Sequence, residues 1–213
     1  TVNAKKVLVR YATSGTGVAV AANQVLTVGG TDYRFDEAIN YGTVAFGLRG
    51  MVLDVAGYVT LTGNVGISKV GTQIVATGSG LSARLEASQS VYAQIAGASF
   101  GLIADSGKTV FELKAGDEAS ANAVTGLTVQ VGSAVTVSAK KVLVQYASGM
   151  GVSLTNGVAP TLSVGGVSHQ YSGAIADGTV AFALKGMSAT VSEFVSLAGD
   201  VGFKKTGAQL VAT

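Results

Sequence analysis

The sequence predicts an all-β protein built of antiparallel meander repeats that form an elongated sandwich or solenoid-like array. Three observations predict it. The chain repeats itself: residues 1–77 return as residues 136–213 with about half the positions identical, the mark of a tandem architecture. Apolar residues recur with a period of two, the spacing of a pleated strand, and not with the 3.6 of a helix. Glycine- and Asx-containing turn signals punctuate the chain, and no amphipathic helical segment separates them. Hairpin-linked antiparallel neighbours are therefore expected, and not parallel strands joined by helical crossovers.

The repeat divides the chain into a complete unit, residues 1–135, and a partial second unit, residues 136–213. Thr1-Val2-x-Ala4-Lys5-Lys6-Val7-Leu8-Val9-x-Tyr11-Ala12 recurs as Thr136-Val137-x-Ala139-Lys140-Lys141-Val142-Leu143-Val144-x-Tyr146-Ala147. Gly42-Thr43-Val44-Ala45-Phe46 recurs from Gly178, and Gly71-x-Gln73-x-Val75-Ala76-Thr77 from Gly207. The second copy stops partway through the unit, so the chain reads as a window on a longer array. Turns are expected at 14–17, 29–32, 40–42, 70–71, 105–108, 177–178 and 206–207, where Gly or Asx supplies positive φ. Residues 55–68 alternate strictly and read as one long strand. Residues 91–95 and 127–131 read as shorter ones. Roughly seven to ten strands are expected per unit. Residues 116–125, Gly-Asp-Glu-Ala-Ser-Ala-Asn-Ala-Val-Thr, read as a loop and as the connection between units.

Composition narrows the functional classes. Net charge is +2 and 12% of residues are charged, too weak a field to imply nucleic acid or anionic lipid as a partner. The basic pairs Lys5-Lys6, Lys140-Lys141 and Lys204-Lys205 read as solvated surface. There is no Cys, which removes disulfides, thiolate metal sites and Cys nucleophiles together. Hydropathy is high, yet no apolar run approaches the ~20 residues of a spanning helix. Membrane insertion is not expected. A membrane β-barrel would suit the alternation, but the outward residues are small and aromatic girdles are lacking.

The two copies act as an internal control. Retained positions are mostly Gly, Val, Leu, Ala, Phe46/Phe182 and Met51/Met187, which are core and turn types. Charges drift: Arg10 becomes Gln145, Arg34 becomes Gln170, Asp36 becomes Ser172 and Asp54 becomes Thr190. His169 is the only His and its counterpart in the first copy is Tyr33, so it reads as a surface or strand-edge residue and not as a catalyst. Asp36-Glu37 and Asp117-Glu118 are the adjacent acidic pairs. A calcium ion at a unit junction near Asp117 and Glu118 is the one metal site considered, and it lacks an EF-hand or nonapeptide spacing. Gly15-Thr16-Gly17 and Gly78-Ser79-Gly80 lack the Lys-Ser/Thr of a phosphate loop. Tyr11, Tyr33, Tyr41, Tyr58, Tyr92, Tyr146 and Tyr171 read as partly buried strand residues, with a sugar-stacking platform as the alternative. The retained Lys140-Lys141 would serve an isopeptide crosslink only if buried beside Asn and a carboxylate. No catalytic, cofactor-binding or metal-binding residue is assigned.

The run Val55 to Thr77, of the form Val-x-Gly-Tyr-Val-x-Leu-x-Gly-x-x-Gly-x-x-Lys-x-Gly, with Ser82 to Glu86 and Gly101-Leu102-Ile103, resembles tandem repeats of very large bacterial secreted or cell-surface proteins of the repetitive-adhesin type. The calcium nonapeptides that end such proteins do not occur here. The resemblance implies an extracellular or cell-surface location and an elongated, non-catalytic role. The expected function is a structural segment of a fibre or adhesin stalk that supplies length and self-association, with neighbouring copies as partners. The alternative is an adhesin module that binds a glycan or protein through the variable turns 31–41 and 167–177.

Overall fold

The computed structural model describes residues 1–12, 20–35, 38–116, 126–192 and 194–213. They form sixteen strands and no helix. The first unit holds β1 (Val2–Asn3), β2 (Lys6–Tyr11), β3 (Val25–Val28), β4 (Thr31–Arg34), β5 (Thr43–Val55), β6 (Val59–Val70), β7 (Gln73–Ser88), β8 (Val91–Asp105), β9 (Lys108–Ala115) and β10 (Leu127–Val131). The second holds β11 (Val135–Ser148), β12 (Thr161–Val164), β13 (Val167–Gln170), β14 (Thr179–Val191), β15 (Val195–Thr206) and β16 (Gln209–Ala212). Twelve strands make one antiparallel sheet, with β3–β4 and β12–β13 as separate hairpins. The all-β, antiparallel expectation holds. The single strand expected over 55–68 does not. Ala56 (φ 53°) and Gly57 (φ 75°) turn the chain, Tyr58 N donates to Val55 O at 3.0 Å, and Val55 pairs with Val59. Two positive φ angles in succession make the primed turn whose twist matches a hairpin, and alternation alone does not register it.

The two copies pair their strands alike. β5 meets β6 from Thr43↔Val70 to Val55↔Val59, with a shift between Leu48 and Met51. β14 meets β15 from Thr179↔Thr206 to Val191↔Val195, with a shift between Leu184 and Met187. The sheet also runs through the unit boundary. β9 and β10 occupy one strand position, β9 pairing Ser99–Asp105 of β8 and Val142–Ser148 of β11, β10 pairing Val91–Ile95 and Val135–Ala139. The chain leaves this ladder at Gly116, whose N donates to Ala96 O, and rejoins it at Gly126, whose N donates to Lys140 O. Residues 117–125, with Asp117 and Glu118, lie outside the described residues. The connection between units that the sequence suggests there therefore lies outside the described residues as well. The described flanks, Gly116 and Gly126, belong to one strand position, and β10 and β11 are joined by a turn in which Gly132 takes φ 58°.

A line of irregularities crosses the sheet. Gly50, Gly63, Gly80, Gly97, Gly116 and Gly186 all have positive φ, and register shifts fall beside them in β5, β6, β7 and β14. Bulges bend a strand and sharpen its twist; aligned across neighbours, they crease the whole sheet. Side chains from both sides of the crease then meet. Leu81, Ala98, Ala115, Ala139, Val142 and Leu184 form a buried cluster, with Phe100, Val144 and Phe182 against it from one side and Ile95, Leu127 and Met187 from the other.

Each copy caps its bulge the same way. Gly50 N donates to Asn64 Oδ1 and Gly186 N to Asp200 Oδ1, both at 2.8 Å. A Cβ on Gly50 would stand 2.9 Å from Lys5 Cδ, and one on Gly186 the same distance from Lys140 Cδ. The retained lysines therefore lay their methylene stems over the bulge glycines, which accounts for Lys5 and Lys140 without a crosslink. Asn64→Ala strips the acceptor from Gly50 N and is expected to cost about 1–2 kcal/mol in urea denaturation, whereas Asn64→Asp, which keeps the acceptor, is expected to cost less.

Candidate functional site

Between β11 and β14 the chain leaves the sheet and returns over its face as the β12–β13 hairpin. The hairpin lies against β5, β6, β7 and β8 of the preceding copy. A strand can cross a sheet that closely only where side chains are missing. The register supplies such a lane: Leu8↔Gly47, Gly47↔Gly66, Gly66↔Thr77, Thr77↔Gly101 and Gly101↔Glu112 are successive cross-strand neighbours. A Cβ on Gly66 would collide with Val164 O, and one on Gly101 would come within 2.5 Å of the His169 ring. Gly47 faces Gly165 backbone to backbone. Polar contacts fix the position. Thr77 Oγ1 donates to Val167 O at 2.8 Å, Arg49 donates to Gly165 O at 3.3 Å and Lys114 Nζ to Gln170 O at 2.6 Å. Val164, Val167, Tyr171 and Ile175 are all buried.

The hairpin ends on a buried carboxylate. Glu112 and His169 are 0% and 1% exposed. Glu112 accepts from Gln145 Nε2 at 2.8 Å, Ser172 N at 2.8 Å and Ser172 Oγ at 2.6 Å. His169 Nε2 lies 3.4 Å from Glu112 Oε1, outside the geometry of a good hydrogen bond. His169 Nδ1 is 3.2 Å from Ser99 Oγ, and the Tyr171 ring stands edge-on to the imidazole at 5.2 Å. Burial pushes the Glu112 carboxyl up, yet His169, Ser172 and Gln145 outweigh it and hold it down at about 2. Burial, aided by the Glu112 charge, pushes the Tyr171 phenol up to about 12. Ser99 and Ser172 also line a recess of about 460 Å³ with Lys114, Lys141 and Lys185.

These placements correct two expectations. His169 is neither at the surface nor at an exposed strand edge. β13 lies across the sheet, so its alternate residues point down, and Gly101 leaves space for the ring. The tyrosines are not mostly partly buried: Tyr11, Tyr33, Tyr41, Tyr58 and Tyr146 are exposed, and Tyr171 is sealed. Tyr41 and Tyr58 precede and follow β5, so the exposed rings fall at both ends of the strands. Of the other residues singled out, Lys5, Lys6 and Lys140 are exposed and Lys141 is half-buried. Among the described residues no three His, Asp or Glu gather as metal ligands. Glu112 went unrecognised because residues 78–135 have no second copy to compare with. Its signal is an acid two places after Val110 on the inward side of an apolar strand. Compared with family models, curated proteins and solved structures, the chain matches none.

Three outcomes are expected. A carboxyl depressed from its ordinary 4.5 to about 2 contributes stability that is complete above pH 4.5 and is lost as pH falls through 2, on the order of 3 kcal/mol in all. Acid titration of wild type against Glu112→Gln, followed by hydrogen exchange at Val167, should show this loss in wild type alone. The raised Tyr171 phenol works in the opposite sense, its contribution present below pH 10 and lost as pH rises through 12. Among the described residues its hydroxyl has no hydrogen-bond partner, and the first copy carries Phe35 there, so Tyr171→Phe should stabilise by about 1 kcal/mol and flatten the alkaline limb. Gly101→Ala should cost about 1–3 kcal/mol by overpacking and open residues 149–178 to limited proteolysis.

Proposed function

We propose that this chain is a non-catalytic structural segment of an extracellular bacterial fibre or adhesin stalk, in which tandem units form an elongated array. The observation that carries the reading is the junction. One sheet crosses the unit boundary through β10 and β11, and the hairpin of the second unit is bolted across the strands of the first. A contact that recurs between successive copies transmits load and sets the angle between units, as nearest-neighbour interfaces do in repeat proteins. The resemblance to repetitive adhesins points the same way.

Ser99, His169 and Glu112 are the residue types of a hydrolytic relay. Here the carboxylate already accepts three hydrogen bonds, the imidazole is closed off from solvent, and the three residues span both units. That arrangement suits a lock. The adhesin-module reading is weaker in the second copy, because the variable segment 167–177 supplies Val167, His169, Tyr171 and Ile175 to the junction.

Immunogold labelling with an antibody to this chain should decorate intact, unpermeabilised source cells or shed fibres; labelling only after lysis would end the extracellular reading. Incubation with a fluorophosphonate should leave Ser99 unmodified by mass spectrometry. A stoichiometric adduct there would end the non-catalytic one.

A further inference from the structure

One short turn sets the second copy apart from the first. Both copies approach their hairpin through an isolated bridge, Val20↔Ile39 in one and Val152↔Ile175 in the other. Five residues then lead from Val20 to Val25, the start of β3, and nine from Val152 to Thr161, the start of β12. The added length makes a two-residue turn. Thr155 and Val158 exchange both their backbone hydrogen bonds at 3.0 Å, and Asn156 and Gly157 between them take φ 52° and 76°. Two positive φ angles in succession make a type I′ turn, and Asn-Gly is the dipeptide that forms it with least strain.

The same dipeptide is chemically reactive. The main-chain nitrogen after an Asn attacks the Asn side-chain carbonyl, and the chief obstacle is the side chain on that following residue. Six asparagines occur in the chain, and Asn156 alone precedes a glycine. Asn3, Asn23, Asn40 and Asn64 precede Ala4, Gln24, Tyr41 and Val65. Where a Cβ at 157 would stand, nothing lies within 4 Å. Residues 153–158 are all exposed. The turn's two hydrogen bonds run between Thr155 and Val158 and leave the Gly157 N–H outside the ladder. Two exposed hydrogen bonds with no buried side chain behind them open at little cost, which brings the Asn156 side chain onto the Gly157 nitrogen. Asn64 is the opposite case. Its amide accepts from Gly50 N and donates to Ser79 O, and the branched Val65 follows it.

We propose that Asn156-Gly157 is a self-modification site, at which the asparagine deamidates through a cyclic imide to an aspartyl or isoaspartyl residue. The Gly157 nitrogen bonds to Asn156 Cγ and the Cγ–Nδ2 bond breaks. Nδ2 leaves as ammonia, with the proton that the Gly157 nitrogen gives up. Water, the only co-reactant, then opens the imide at one of its two carbonyls. Opening at Cγ restores the ordinary backbone as an aspartyl residue. Opening at the main-chain carbonyl routes the backbone through the side chain as an isoaspartyl residue. Either product carries a carboxylate where a neutral amide stood and lowers the formal net charge of +2 by one. The isoaspartyl product also adds a methylene to the backbone, which a two-residue turn does not accommodate, so the Thr155–Val158 pairing opens. Val152 and Ile175 belong to the buried cluster under the loop and keep their own pair of hydrogen bonds. The change therefore marks the age of the chain without undocking the β12–β13 hairpin.

The test is peptide mapping by mass spectrometry of the whole folded chain after incubation from neutral to mildly alkaline pH, with an unincubated sample as the blank. The tryptic peptide 142–185 contains no other Asn, so its amide-to-acid mass shift reads this site alone. Conversion at Asn156 should run about tenfold or more faster than at Asn3, Asn23, Asn40 or Asn64. It should quicken as hydroxide rises, because the attacking nitrogen must lose its proton, and should yield isoaspartyl and aspartyl peptides together. Gly157→Ala should slow it about tenfold or more, and Asn156→Gln, whose longer side chain closes the ring poorly, should abolish it. Amide NMR signals of the aged chain should move at Thr155 and Val158 and stay in place at Val167. Conversion at Asn156 no faster than at the other asparagines overturns the proposal. So does conversion seen only after unfolding in urea, where the folded turn would be shielding the site, and so does a product without isoaspartyl peptide, which excludes the imide. A displaced Val167 signal would overturn the claim that the hairpin stays docked.

Discussion

Contact between a crossing hairpin and a lane of missing side chains is the constraint on which the rest of this structure depends. Gly47, Gly66 and Gly101 are separated by many residues in the chain but fall on one cross-strand row. Together with Thr77 they let the β12–β13 backbone come down onto the sheet. A single methyl group at Gly66 would collide with it. Close backbone approach of this kind is what glycine provides inside a strand, at the cost of conformational entropy and side-chain packing. The loss is offset here by burial of Val164, Val167, Tyr171 and Ile175 and by the hydrogen bonds of Thr77, Arg49 and Lys114.

The crease supports this arrangement from the other face. A single flat sheet has no interior, and long flat sheets are aggregation-prone. The glycine bulges fold this one so that Phe100, Val144 and Phe182 meet Ile95, Leu127 and Met187. One face of the sheet thus buries a cluster in its own crease, and the opposite face buries a second beneath the hairpin. The bulges are held by side chains, Asn64 in one copy and Asp200 in the other, so the bend is specified and not incidental. Within the second cluster the Glu112 carboxylate is a specificity device. A buried charge is costly unless it is fully partnered, and Gln145, Ser172 and His169 of the second unit reach across the boundary to partner this carboxylate of the first. Register errors of the hairpin would leave it bare.

Much of this was legible. The repeat, the alternation and the Gly–Asx turns determined by themselves an antiparallel all-β chain and the turns at 29–32, 70–71, 105–108, 177–178 and 206–207. Those features are local: a turn depends on the φ its own residues adopt, and alternation depends on the pleat. The Ala56-Gly57 turn was missed because a residue other than Gly took positive φ.

The sequence determined, without help, the fold class and the pairing style, because both follow from side-chain periodicity and turn chemistry within a few residues. Only the tertiary structure decided that His169 is buried, that Glu112 matters, and that one hairpin is seated while its twin is exposed. These depend on residues far apart in the chain falling on the same cross-strand row. Register is a property of paired strands, and no single strand carries it.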